Sequence, residues 1–275
     1  MTEREAGHDR RRRGRNVLIT GGSSGIGREA VRRFAREGDT AWFTYLTGAQ
    51  RAGALVAELA VEGIDVSAFE LSQGDWDSHE RLLAALPGPV DVLINNAAVG
   101  SKTVEVYERG PAHRRAAALH QINSVGPLWL TQQLLPAMAE HGYGKIVNVS
   151  SVGGGVASFP EFDLADGMSK AALVQMTRQL AVETVHSPVD VFAVCPGAVE
   201  TAMLSASVLG RLSGPARERF EARLPKGRLI QASEVADVIW WLCTDQARIL
   251  HGAVIDASMG LGLAPGLFDP HATVH

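Results

Sequence analysis

The chain keeps one rhythm from end to end, and that rhythm leaves few folds open to it. Short, near-continuous apolar runs occupy residues 16–20, 40–45, 65–71, 90–95, 145–149, 189–195 and 253–256. Between them, at 26–34, 52–59, 119–138, 171–182 and 235–242, apolar residues recur three and four positions apart. The first kind of run suits a strand covered on both faces, the second an amphipathic helix. Strict alternation implies right-handed helical crossovers between parallel strands. The expected fold class is therefore α/β, a doubly wound parallel sheet of about seven strands.

Composition does not oppose this reading. The 275 residues are 46% apolar and 20% charged, ordinary globular usage and enough chain for a full core. No internal repeat or low-complexity linker divides the chain, so a single domain is expected over 16–265. A disordered, Arg-rich tail is expected at 1–15 and a C-terminal tail at 266–275. The net charge of -4 gives no reason to expect nucleic acid, and Arg10, Arg11, Arg12, Arg13 and Arg15 read as a solvated arm. Apolar runs stop well short of the ~20 residues of a membrane span, and no leader-like apolar stretch opens the chain. Cys195 and Cys243 are too few for a disulfide framework or a zinc cluster. A cytoplasmic protein with no metal and no membrane partner is the expectation.

One segment breaks the rhythm. Within 201–228 two short helical pieces are split by Gly210, Gly214 and Pro215, directly after Pro196 and Gly197 end a buried strand. An insertion on the strand-end side of an open α/β sheet is where a small helical substrate lid belongs.

The first strand runs into Thr20-Gly21-Gly22-Ser23-Ser24-Gly25-Ile26-Gly27 and then a helix. Glycines at 21, 25 and 27 let the backbone turn tightly and approach a pyrophosphate, which meets the helix's N–H groups and positive dipole end. Ser23 and Ser24 add hydroxyl donors. This placement makes the sheet Rossmann-type.

With these motifs in order, the chain resembles the short-chain dehydrogenase/reductase family. The glycine turn resembles its TGxxxGIG motif, and Asn95-Asn96-Ala97-Ala98 its NNAG. Asn123-Ser124-Val125-Gly126 is similar to NxxG, the strand at 145–151 to the one carrying the catalytic serine, Ser169-Lys170 to the end of YxxxK, and Pro196-Gly197 with Thr201 to PGxxxT. The resemblance spans about residues 16–260. It implies an oxidoreductase interconverting a carbonyl and an alcohol on a small-molecule substrate, with a nicotinamide cofactor. It implies that Gly21, Ser23, Ser24, Gly25, Ile26 and Gly27 hold the pyrophosphate, and that Glu70 and Leu71 flank the adenine. Asn96, Ala97 and Ala98, with Lys170, would hold the nicotinamide-side ribose. Pro196, Gly197, Val199 and Thr201 would border the carboxamide. Tyr45 stands at the end of the second strand, where an acid would mark NAD(H). With no acid there, and with Arg28 and Arg51 within reach of a 2′-phosphate, NADP(H) is preferred over NAD(H). Family members pair through their long helices, so a homotetramer or dimer is expected, with Trp129, Leu130 and Leu134 clustered on one such helix.

The resemblance also implies catalytic roles for Ser151, Lys170 and Asn123: Ser151 polarising a carbonyl, Lys170 anchoring ribose, Asn123 positioning a proton-relaying water. The family tyrosine is absent. Asp166 stands four residues before Lys170, and no tyrosine lies between Ser151 and Lys170. Lys170 should favour an ionised Asp166. Proton transfer then passes through Asp166, a water, Ser151 or the substrate. Two alternatives stay open: a non-redox nucleotide-binding enzyme (dehydratase, isomerase or cyclase), or a catalytically silent partner of an active homologue. Glu161, Asp163 and Asp166 crowd the loop after a flexible Gly153-Gly154-Gly155. They either keep that loop soluble or recognise a cationic substrate.

Overall fold

The computed structural model describes residues 14–160 and 162–269. Among these, seven strands form one all-parallel sheet: β1 Asn16–Ile19, β2 Thr40–Tyr45, β3 Val66–Glu70, β4 Val92–Asn95, β5 Gly144–Val149, β6 Val189–Pro196 and β7 Val254–Ala257. Their order is β3-β2-β1-β4-β5-β6-β7. The two-residue period of a strand sorts its side chains. Val17 and Ile19 face helices α1 (Gly25–Arg36), α2 (Ala49–Val61) and α9 (Ala232–Leu242) through Phe34, Leu55 and Ile239. Leu18 faces the opposite layer, α3 (Trp76–Ala85), α5 (Gly126–Glu140) and α6 (Leu164–Glu183), through Leu82, Leu130 and Leu180. Both faces are thus covered, which is why the strands read as unbroken apolar runs.

The long helix expected at 119–138 is not continuous. Helix α4 (Ala112–His120) passes into α5 through a π-helical turn, Gln121–Val125. Such turns insert one extra residue per turn and re-aim side chains at functional sites. Here the turn carries Asn123. Beneath it, a buried polar ladder ties the layers: Asn95 Nδ2 donates to Asn148 Oδ1 at 2.9 Å and to Thr131 Oγ1 at 3.0 Å, and Asn148 Nδ2 donates to Thr177 Oγ1 at 2.9 Å. The amide nitrogens of both asparagines are met by partners, while Asn95 Oδ1 is buried without one among the described residues.

The described parts of the two expected tails, residues 14–15 and 266–269, reach into the fold. Residues 1–13, with Arg10 to Arg13, lie outside the described residues. Arg15 does not behave as tail: its Nε and Nη2 hold Asp39 at 2.9 and 2.6 Å, at the start of β1. At the other end, Phe268 packs edge to face against Phe220 and Phe159. The helices expected to pair between subunits are also used internally. Leu130 and Leu134 are buried on the sheet. Trp129 packs edge-on against Trp76, ring centres 5.4 Å apart.

The segment at 201–228 forms α7 (Ala202–Ser207) and α8 (Gly214–Arg223). These pieces bury Leu209, Phe220, Leu224 and Leu229 in a small cluster of their own, apart from the two main layers.

Candidate active site at the strand ends

A cleft of about 910 Å³ opens at the carboxyl ends of the strands. It spans the point between β1 and β4 where the strand order reverses, the usual ligand crevice of an open α/β sheet. At its floor the chain turns at Gly21 with φ +70°, and a Cβ there would stand 2.9 Å from the Ala97 Cα. Only glycine takes that turn without strain. Ser24 precedes α1 in extended conformation and makes no side-chain cap, and the first turn of α1 carries no acid. The leading N–H groups of α1 are therefore left for an anion. Gly21, Ser23, Ser24, Gly25 and Ile26 line the cleft as expected; Gly27 does not. A Cβ on Gly27 would lie 2.3 Å from the Gly21 carbonyl oxygen, so this glycine lets helix and strand approach.

At one end the cleft is bordered by Tyr45, Thr47, Gly48, Arg51, Leu71 and Ser72. Glu70 is a correction: it is exposed and outside the cleft, because the strand's alternation turns it away while Leu71 turns in. Arg28 is a second correction, since its guanidinium is held by Glu58 at 2.7 Å. Arg51 borders the cleft without a partner among the described residues.

Toward the middle, Asn96, Ala97 and Ala98 line the wall. Thr20, which carried no role in the sequence reading, organises them: its Oγ1 accepts from the Asn96 and Ala97 N–H groups at 3.0 Å each. Pro196, Gly197, Val199 and Thr201 face them. Thr201 caps α7 by accepting from the Leu204 N–H at 3.3 Å, and a Cβ on Gly25 would meet its methyl at 3.3 Å. Helix α7 thus starts beside the glycine turn.

Ser151, Asp166 and Lys170 meet at the other end. Ser151 caps the turn after β5, its Oγ accepting from the Gly153 N–H at 3.2 Å. Its neighbour Ser150 is structural, donating to the Lys170 carbonyl at 2.8 Å. Lys170 Nζ donates to the Val149 carbonyl at 3.3 Å. Asp166 lies one turn before Lys170 on the same helix face. Its Oδ2 accepts from the Ser101 N–H at 3.1 Å, a contact from a distant loop that no local motif announces.

The shift expected of Asp166 runs the other way. Burial raises its carboxyl above the usual range, outweighing the nearby Lys170 charge and the Ser101 N–H. Burial likewise lowers the Lys170 ammonium, against the pull of Asp166. The two proton affinities move toward one another.

Asn123 is brought to this corner but not into the cleft. Its Oδ1 accepts from the Val99 N–H at 2.8 Å; its Nδ2 donates to the Val99 carbonyl at 2.8 Å and to Ser169 Oγ at 3.0 Å. Both N–H donors of its amide are used, and its side chain holds α6 against the loop after β4.

The three glycines after Ser151 are not a flexible spacer. Gly154 has φ +101°, and a Cβ there would stand 2.3 Å from the Gly167 carbonyl oxygen. A Cβ on Gly155 would lie 2.6 Å from Cys195 Sγ. Missing side chains let the loop lie flat on α6 and β6. In the acidic loop, Glu161 lies outside the described residues. Asp163 lines the cleft and caps α6, its Oδ1 accepting from the Asp166 N–H at 3.0 Å.

The chain is similar to known proteins over most of its length. A family profile described as enoyl-(acyl carrier protein) reductase matches residues 21–262. A putative ketoacyl reductase of Streptomyces coelicolor is 34% identical over 90% of this chain and 96% of its own length. An acetoacetyl-CoA reductase of Allochromatium vinosum is 31% identical over 90% of this chain and 98% of its own. Among solved structures, actinorhodin polyketide ketoreductase with NADPH superposes with a TM-score of 0.81 at 32% identity, covering 90% of this chain and 97% of that one. Levodione reductase gives 0.80 at 29%, covering 91% and 98%. On the glycine cradle, the sheet order and these matches together, the chain belongs to the short-chain dehydrogenase/reductase family of oxidoreductases.

Proposed function

We propose that the protein is an NAD(P)-dependent carbonyl reductase whose proton donor is Asp166. One observation carries this: a single cleft joins the anion cradle of α1 to Ser151, Asp166 and Lys170. Ser23, Ser24, Gly25 and Ile26 would hold the pyrophosphate of a nicotinamide cofactor, which would supply the hydride. Ser151 Oγ donates a hydrogen bond to the carbonyl oxygen. The Asp166 carboxyl, whose proton affinity burial raises, gives its proton to that oxygen as the alkoxide forms, and the Lys170 ammonium stabilises the carboxylate left behind. A carboxyl ends roughly 3 Å nearer the backbone than a tyrosine hydroxyl, from standard bond lengths. One bridging water spans that gap. Following cofactor oxidation with a panel of ketones tests the reading. Nucleotide binding without turnover of any of them would instead favour a non-redox enzyme or a silent partner subunit.

NADP(H) is the proposed cofactor, with Arg51 meeting the 2′-phosphate. A charge-assisted contact of this kind is worth about tenfold in affinity. Arg51→Ala is expected to raise the Kd for NADPH about tenfold and leave that for NADH unchanged. Equal effects on both would assign Arg51 elsewhere.

A cytoplasmic homodimer or tetramer is proposed on the remaining apolar surface. Leu164, Met168 and Val182 of α6 are 79%, 53% and 69% exposed, a face that a second copy would cover. Sedimentation should return at least twice the 29.3 kDa of one chain. A lone chain would refute it.

A further inference from the structure

Three phenylalanines border the cleft beside Ser151, and they come from distant parts of the chain. Phe159 and Phe162 lie in the loop after β5; Phe268 lies near the end of the described residues. Together they make a continuous aromatic row. The Phe159 and Phe162 ring centres are 6.4 Å apart, and Phe159 meets Phe268 edge to face at 5.8 Å. Phe268 then continues to Phe220 of the lid helix α8 at 5.4 Å. The row is firmly seated. Phe159 is 9% exposed, and a Cβ on Gly153 would stand 3.0 Å from the Phe162 ring. Phe220, 2% exposed, does not reach the cleft and backs Phe268 from behind. Phe268 is also a returning residue: Leu263, five positions earlier, is 88% exposed, and the chain then folds back to place a ring on the cleft wall.

Aromatic rings meet each other offset or edge to face, and such contacts add to simple area burial. A wall of three rings therefore discriminates between flat and saturated groups of equal size. We infer that this row recognises the non-reacting part of the substrate, that the preferred substrates are ketones bearing an aryl or fused-ring group, and that Phe268 is a specificity-determining residue. The inference rests on the carbonyl-reductase reading of the same cleft.

The test compares 2-acetonaphthone with its ring-saturated analogue. Binding is read by titration in the presence of NADP+, and reduction by NADPH oxidation. Wild type should bind and reduce the naphthyl ketone preferentially. Phe268→Leu should cut that preference about 3- to 10-fold, leaving NADPH affinity unchanged. Phe268→Tyr, which keeps the ring, should retain it. Phe220→Leu separates packing from recognition: it should lower thermal stability with a smaller change in preference than Phe268→Leu. Equal binding of the two ketones by wild type, or an equal loss on both in Phe268→Leu, overturns the inference. Preferential binding of the naphthyl ketone without reduction would overturn the reductase reading and leave the aromatic wall standing.

Discussion

Asp166→Asn should lower the turnover of a reducible ketone by about 10²–10⁴, the usual worth of a positioned general acid, with little change in NADPH affinity. Asparagine keeps the shape and can still accept from the Ser101 N–H at Asp166's position, so the loop after β4 stays docked. What it removes is the transferable proton. The pH profile gives an independent readout. Burial raises the Asp166 carboxyl, so the acid form persists to higher pH than in a free aspartate. Reduction should be fastest at low pH and decline as pH rises through that raised value. The declining limb should vanish in Asp166→Asn. A variant with wild-type turnover and an unchanged profile would move proton donation to Ser151, the substrate or solvent.

Gly154→Ala should be the most damaging small substitution near the site. Its φ of +101° costs an L side chain about 1–2 kcal/mol. Its Cβ would also stand 2.3 Å from the Gly167 carbonyl oxygen, backbone that cannot swing aside. Overpacking of this kind costs about 1–3 kcal/mol more. For a chain of this size the two together lower Tm by about 5–15 °C. Activity should fall as well, since the loop joins Ser151 to the helix carrying Asp166 and Lys170. Gly63→Ala is the matched control: its φ is +77° with nothing within 4 Å, so strain acts alone. Equal Tm shifts in the two variants would show that the loop yields, as a flexible spacer would.

The strands were legible because a buried parallel strand writes itself as a local apolar run, and all seven lie within two residues of their expected bounds. The glycine cradle was legible for a similar reason. Its chemistry is carried by consecutive residues, so spacing along the chain is also spacing in the site. Helix α3 was less visible. Ser78 and His79 share its buried face with Leu82, which blurs the apolar period. The break at Gln121–Val125 was invisible, because a π turn adds one residue without altering the apolar character around it.

What the sequence determined by itself was the sheet, its helical layers, the glycine turn into α1 and the identity of the groups proposed as catalytic. Each follows from local pattern, and local pattern survives in one dimension. Tertiary structure decided how those groups behave. The charge of Asp166 depends on how much water surrounds it, and burial outweighed the single neighbour that the spacing revealed. The Asn123 side chain is tied to Val99 and Ser169, and Phe268 became cleft wall instead of tail. Desolvation and long-range contact are sums over atoms brought together from the whole chain, and no window along the sequence contains them.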